Sequence, residues 1–306
     1  MTEETAEGSP LIFGFDVDGG NIRPLTWEAL RAGPAEPSDG MRWIHLDRLK
    51  TEVKPWAEST SGVDPDILDA LFREDTRPRA LRFGDGWLVN LRGVNLNPGP
   101  QSDTMIALRI WVTPRLVMSL RAYRIRAAED LAKAFEAGTA PTSSGGLVTF
   151  LADRLTQRLD GVVSNLGDGV DALEERLLEG DTQILKTDLA KLRRQAVAIR
   201  RYMAPQKDAL QALAQDQTGP LSNEDRRDTK EVLDALARVT EDLEAARDRA
   251  QLVQDQIAER RGEEMNQRLF VLAIISAIFL PLGFITGLFG VNVGGMPGVA
   301  SPIAFA

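Results

Sequence analysis

Between residues 269 and 289 the chain carries 21 consecutive residues without a charge. An uncharged apolar stretch of about 20 residues is long enough to cross a bilayer as a helix. A core helix of that length and purity would have to be covered on every side. Arg260, Arg261 and Arg268 precede the stretch, and no Lys or Arg follows Phe289. Positive residues collect on the cytoplasmic side, so the N-terminal bulk is expected in the cytoplasm and residue 290 onward outside. Residues 1–10 are acidic and polar, with no basic start and apolar run, so no signal peptide is expected.

The sequence upstream predicts that this span is the end of a much longer helix. No proline interrupts residues 225–280, and Gly262 is the one weak point. Ser222 fits an N-cap, with Asp225 three residues on in the box position. A continuous helix from near Ser222 to Phe289 would be on the order of 100 Å long. Along it, Val232, Leu236, Val239, Leu243, Ala246, Ala250, Val253 and Ile257 alternate steps of four and three, a heptad seam. Such a seam packs either on the chain's own helices or in an oligomeric stalk, and opposite faces allow both.

The rest of the chain reads as an α+β cytoplasmic domain, a mixed sheet with flanking helices, followed by a helical hairpin. Strand-like runs fall at 11–15, 42–46, 80–83, 86–91, 105–112 and 115–120, with Asp85-Gly86 as a hairpin turn. Helical stretches fall at 24–32, 64–72 and 127–137. Beyond Pro141 the strand signal stops: 147–178 and 182–217 read as long helices, broken near Gly180, with Pro205 expected to kink or interrupt the second. The domain organisation is therefore a disordered tail over 1–9, a mixed domain over 10–140 and a helical domain over 141–221. A stalk follows over 222–268, a spanning helix over 269–289 and an outer loop over 290–306.

One spanning helix cannot enclose a pore, but several copies around an axis can. Stepping by three or four from Asn266 gives a row of Leu269, Leu272 or Ala273, Ser276 or Ala277, Leu280, Gly283 and Gly287. A polar ring at Asn266 would then be followed by leucine rings able to gate by dewetting. Ser276 either adds a polar ring or bonds back to its own helix. Gly283 and Gly287 either line the pore or allow close helix packing, and Pro281 either frees carbonyls or bends the helix. Directly after the span, Gly290-Val291-Asn292 offers an amide oxygen at a turn. A ring of such oxygens, one per subunit, could face a hydrated cation.

Composition narrows the chemistry. There are 45 acidic and 36 basic residues, a net charge of -9, which argues against nucleic acid as a partner. No cysteine is present and His45 is the only histidine, so a Cys/His zinc site within one subunit is excluded. A metal must then meet oxygen ligands or pass hydrated. No strong site emerges. His45 is a weak metal candidate that reads more readily as a structural histidine in a strand. Asp16, Asp18, Asp47 and the Glu174-Glu175 pair are weak oxygen candidates or solvated faces. No nucleophile–base pair or phosphate loop marks an enzyme.

The segment from Phe279 to Asn292, ending in Gly-Val-Asn, resembles the CorA-type divalent metal ion transporters, whose mark is a Gly-Met-Asn loop after the first of two C-terminal spans. Val291 stands where the magnesium-transporting branch has Met, and Gly-Val-Asn followed by Val-Gly-Gly-Met-Pro-Gly is similar to the ZntB zinc-transporter branch. So are Trp43-Ile44-His45-Leu46-Asp47, Arg77-Pro78-Arg79, residues 90–99, residues 108–113 and residues 200–206.

The resemblance implies a homopentameric funnel in the (inner) membrane, in contact with lipid and needing no cofactor. A long stalk helix would continue into a pore-lining span, with selection by Gly290, Val291 and Asn292 and a pore lined by Asn266, Leu269, Leu272, Leu280 and Gly283. It implies movement of Zn2+, with Mg2+, Co2+, Ni2+ or Cd2+ as other cargoes, by uptake coupled to protons or by efflux. Gly283 stands where many members have Thr, so one polar ring is missing. The family's second span has no counterpart: the chain ends at Ala306 where that helix would begin, and it reads as a shortened form. A non-conducting, membrane-tethered coiled-coil scaffold is the reading from another class, and it leaves the Gly-Val-Asn loop unexplained.

Overall fold

The computed structural model describes residues 8–74, 77–99, 104–179 and 185–288. The chain divides into two compact units, Met1–Gln251 and Leu252–Ala306.

The first unit is built on a seven-stranded sheet of β1 (Leu11–Asp18), β2 (Asn21–Pro24), β3 (Met41–Asp47), β4 (Arg79–Phe83), β5 (Gly86–Val94), β6 (Met105–Val112) and β7 (Leu116–Arg121). Their order is β2-β1-β3-β7-β6-β5-β4. Every pairing is antiparallel except β3 with β7, which run parallel. The central strands are nearly continuous in apolar residues because both faces are covered. On β3, Trp43 points to one layer, while Ile44 and Leu46 point to the other.

On the second of these faces lie α1 (Trp27–Ala32), α2 (Val53–Thr60) and α3 (Pro65–Phe72), through Leu30, Trp56, Leu68 and Leu71. On the first lie α4 (Arg126–Glu136), α5 (Ser144–Leu178), α6 (Leu185–Gln215) and the start of α7 (Asn223–Leu288). Gly93 on β5 allows a close approach to α5: a Cβ there would stand 2.5 Å from Leu155 Cδ2.

The six strand-like runs are all strands, and the three helical stretches hold α1, α3 and α4. Three local expectations are corrected. First, the hairpin turn is Gly84-Asp85 rather than Asp85-Gly86: Phe83 pairs with Gly86, and Gly84 carries the positive φ of 56° that the turn needs. Second, the helix expected from Pro24 starts at Trp27, because Pro24 closes β2 and Thr26 caps the helix at Ala29 N. Third, Pro205 does not end its helix: α6 runs through it. The neighbouring residues hold it in place, for Met203 and Gln206 are buried, and Gln206 Oε1 accepts from Arg92 N at 2.7 Å. The expected break near Gly180 and the loop at 290–306 lie outside the described residues.

The first half of the heptad seam is covered from within the chain. Val232, Leu236, Val239 and Leu243 share one core with Leu155 and Leu159 of α5 and with Ile199 and Met203 of α6. The start of α7 is a reciprocal cap: Ser222 N donates to Asp225 Oδ2 at 2.8 Å, and Asp225 N donates to Ser222 Oγ at 3.1 Å. Ser143, the N-cap of α5, donates to the same carboxylate at 2.9 Å. Thr149 and Thr229 share a buried hydrogen bond of 2.8 Å one turn further on.

The second unit contains the C-terminal part of α7. Val253 and Ile257 are buried, but from Gly262 to Leu288 every residue is exposed.

Candidate functional site

The site is the C-terminal part of α7. Its most apolar 18-residue window has a mean hydropathy of 2.5, and none of that window is buried. Phe270, Phe279, Leu280, Phe284 and Leu288 are each more than 60% exposed. A water-soluble monomer does not display an apolar surface of this extent, and the helix is long and apolar enough to cross a membrane. Apart from the turn around Pro281, a helix satisfies its own backbone hydrogen bonds, which is the requirement for a segment in lipid.

Steps of three and four residues stay close to the helical period. Asn266, Leu269, Ala273, Ser276, Leu280, Gly283 and Gly287 therefore share one face of α7, and Leu272 stands at the edge of that face. Ser276 Oγ donates to Leu272 O at 2.9 Å, so the hydroxyl satisfies its own helix. Thr286 does the same to Gly283 O at 3.1 Å. Pro281 sits inside the helix and has no N–H, which leaves the carbonyl of Ala277 without its helical donor. Gly290, Val291 and Asn292 lie outside the described residues.

The weak metal candidates are dispersed. Asp16 is held by Arg42, whose Nε and Nη2 donate to its two oxygens at 2.6 and 2.9 Å. Asp18 is exposed at the end of β1, opposite Asn21. Asp47 Oδ1 accepts from Leu49 N at 3.0 Å as β3 ends. Glu174 and Glu175 are exposed on α5. Among the described residues no three His, Asp or Glu come together in an arrangement that would hold a metal.

His45 is fully buried. Its Nδ1 shares a hydrogen bond of 2.8 Å with Ser119 Oγ, which also accepts from Trp43 Nε1 at 3.0 Å. Among the described residues its Nε2 has no partner. Burial, with the charge of Arg121 second, holds the imidazole well below its usual pKa, so it is neutral at physiological pH. Strand pattern alone shows that such a residue is internal; its partner, 74 positions away, is visible only in the sheet.

One further ionic cluster fixes the β4–β5 hairpin to the end of α6. Asp216 accepts from Trp87 Nε1 at 2.7 Å and from Arg82 Nη1 at 3.2 Å. Burial raises its pKa, but hydrogen bonds from Thr218 and Trp87 and the charge of Arg82 outweigh it, so the carboxyl stays below its ordinary value.

An α+β unit whose closing helix runs on into a bare apolar span defines a helical membrane protein. The chain belongs to the CorA-like Mg2+ transporter protein family, whose sequence profile matches residues 38–306. It is 37% identical to the divalent cation transporter CmaX of Pseudomonas aeruginosa over 306 residues, covering 99% of this chain and 92% of that one. It is 35% identical to the zinc transport protein ZntB of Pectobacterium carotovorum over 298 residues, covering 97% and 89%. The structure of full-length CmaX superposes with a TM-score of 0.84 at 36% identity, covering 96% of this chain and 91% of that one.

Proposed function

We propose that this protein moves divalent cations, Zn2+ foremost, across a cell membrane as a homopentamer with the bulk of the chain in the cytoplasm. The observation that carries this is the exposed, uncharged span of α7 leading directly in sequence to Gly290-Val291-Asn292. The one-sided row from Asn266 to Gly287 supports a pathway between copies, since a single helix cannot enclose water. Asn266, Leu269, Leu272, Leu280 and Gly283 would line it, with the leucine rings closing it by dewetting. Asn292 would present an amide oxygen to a hydrated ion at the outer mouth. His45 is the only histidine and is buried in the cytoplasmic unit; Cys is absent. Passage of a largely hydrated ion follows, rather than transfer between tight ligands.

The zinc reading draws on the ZntB relative and on Val291. A broader divalent selectivity, extending to Mg2+, Co2+, Ni2+ or Cd2+, draws on the CmaX relative. Zinc uptake into proteoliposomes, with and without an imposed pH gradient, tests cargo and proton coupling together. Uptake of Mg2+ at the rate of Zn2+ would favour the broader reading, and no flux of any divalent ion would leave a non-conducting scaffold.

A further inference from the structure

We propose that the outward face of α5 in one subunit docks on the outward face of α6 in a second copy of this chain, through opposite charges standing at matching heights. This interface rests on the ring assembly proposed above.

The two helices form an antiparallel pair with opposite charge. Residues 160–178 of α5 hold five acidic residues and one basic, whereas residues 185–208 of α6 hold seven basic residues and two acidic. Among the described residues, Arg176 pairs with Asp188 across the two helices at 3.3 Å. Asp160, Asp168 and Asp171 stand exposed on α5, and Lys191, Arg194 and Arg201 stand exposed on α6. Within each set the spacings are near multiples of the helical period, so each set forms one stripe. Asp171 does pair with Arg249, but its side chain remains 56% exposed. Arg201 lies 5.6 Å from the ring of Tyr202 and meets no carboxylate among the described residues.

The heights coincide. Arg176 stands beside Asp188, and Gly169 lies against Leu192, within 3.1 Å of a Cβ placed there. That register puts Asp171 level with Lys191, Asp168 level with Arg194 and Asp160 level with Arg201. Rotation about an axis parallel to these helices preserves height. In a ring of such subunits, each acidic residue of one copy therefore meets a basic residue of the next. The contact is heterologous, with a different patch from each side, which is the type that closes rings of more than two copies. Opposite charges at matching positions also fix partner and register.

The test uses the whole protein in detergent micelles, with mass measured under native conditions. Lys191→Glu with Arg194→Glu and Arg201→Glu should raise the dissociation constant between subunits on the order of tenfold or more. The triple Asp160→Lys, Asp168→Lys and Asp171→Lys should do the same. Combining all six, which swaps the stripes, should restore assembly. The neutral variants Lys191→Gln, Arg194→Gln and Arg201→Gln serve if the reversed chain does not fold. Wild-type assembly of either triple variant would overturn the interface, as would failure of a folded six-fold variant to reassemble. Retained assembly with lost binding to anionic vesicles would assign the α6 stripe to lipid and overturn it too. A monomeric wild type is a different result, because it removes the ring itself.

Discussion

Ser222 and Asp225 exchange hydrogen bonds in both directions, 2.8 Å one way and 3.1 Å the other, and so begin the 66-residue helix that ends in the membrane span. The same carboxylate accepts from Ser143, so the starts of α5 and α7 are tied by one buried side chain. Asp225→Ala removes the carboxylate half of the cap and strands two donors, Ser222 N and Ser143 Oγ. A loss of about 2 kcal/mol of stability is expected, read as a lower Tm by circular dichroism. Asp225→Asn keeps the acceptor and should recover at least half of it. An unchanged Tm for Asp225→Ala would show that the cap carries no stability.

Gly145 sits where that crossing is tightest. A Cβ there would stand 2.7 Å from Asp225 Oδ2 and 2.8 Å from Leu221 Cα. The second neighbour is backbone and has no rotamer to move into. Gly145→Ala should therefore destabilise by roughly 1–3 kcal/mol despite the better helix propensity of alanine. Denaturant midpoints measure this, and a stabilised variant would contradict the close approach.

Acid should weaken the sheet core through His45. The folded chain disfavours the imidazolium because burial removes it from water and the charge of Arg121 opposes it, and among the described residues Nε2–H would have no acceptor. The unfolded chain binds that proton freely below about pH 6.5. Stability therefore falls as pH drops below that value, toward the lower folded pKa. His45→Phe removes the group that titrates. Between pH 7.5 and 5.5 the variant should lose less Tm than the wild type, and parallel slopes would rule out His45 as the source.

Asn292→Ala removes the amide oxygen proposed for the outer mouth. Zinc uptake into proteoliposomes should fall to the level of empty vesicles, while assembly and Tm stay as in the wild type. Normal flux from the variant would remove Asn292 from ion selection.

Much of this was legible in local pattern. Alternating apolar residues predict six strands, and Ser222 with Asp225 predicts the cap. The uninterrupted polar-then-apolar run predicts one helix through Gly262 into the span. The elements that escaped had weak local signals. β2 offers Ile22 as its lone aliphatic strand residue and pairs at a sheet edge, and α2 carries Pro55 and polar residues around the buried Trp56. The interruption weighed at Pro205 does not occur: its cost is local, whereas the packing of Met203 and the Gln206 bond to Arg92 come from elsewhere in the chain. The facing stripes on α5 and α6 left a readable charge periodicity, but their heights needed the register between the two helices.

The sequence by itself determined the long apolar end of α7, the α+β composition and the likeness to the CorA-type family. Each depends on neighbours within a few turns of chain. Only the tertiary structure decided the parallel pairing of β3 with β7 and the burial of His45 against Ser119. It also decided that α5 and α6 cover the seam of α7 from Val232 to Leu243. The reason is that apolar periodicity says a face must be covered without saying by what. The choice of cover is settled by contacts between residues far apart in the chain.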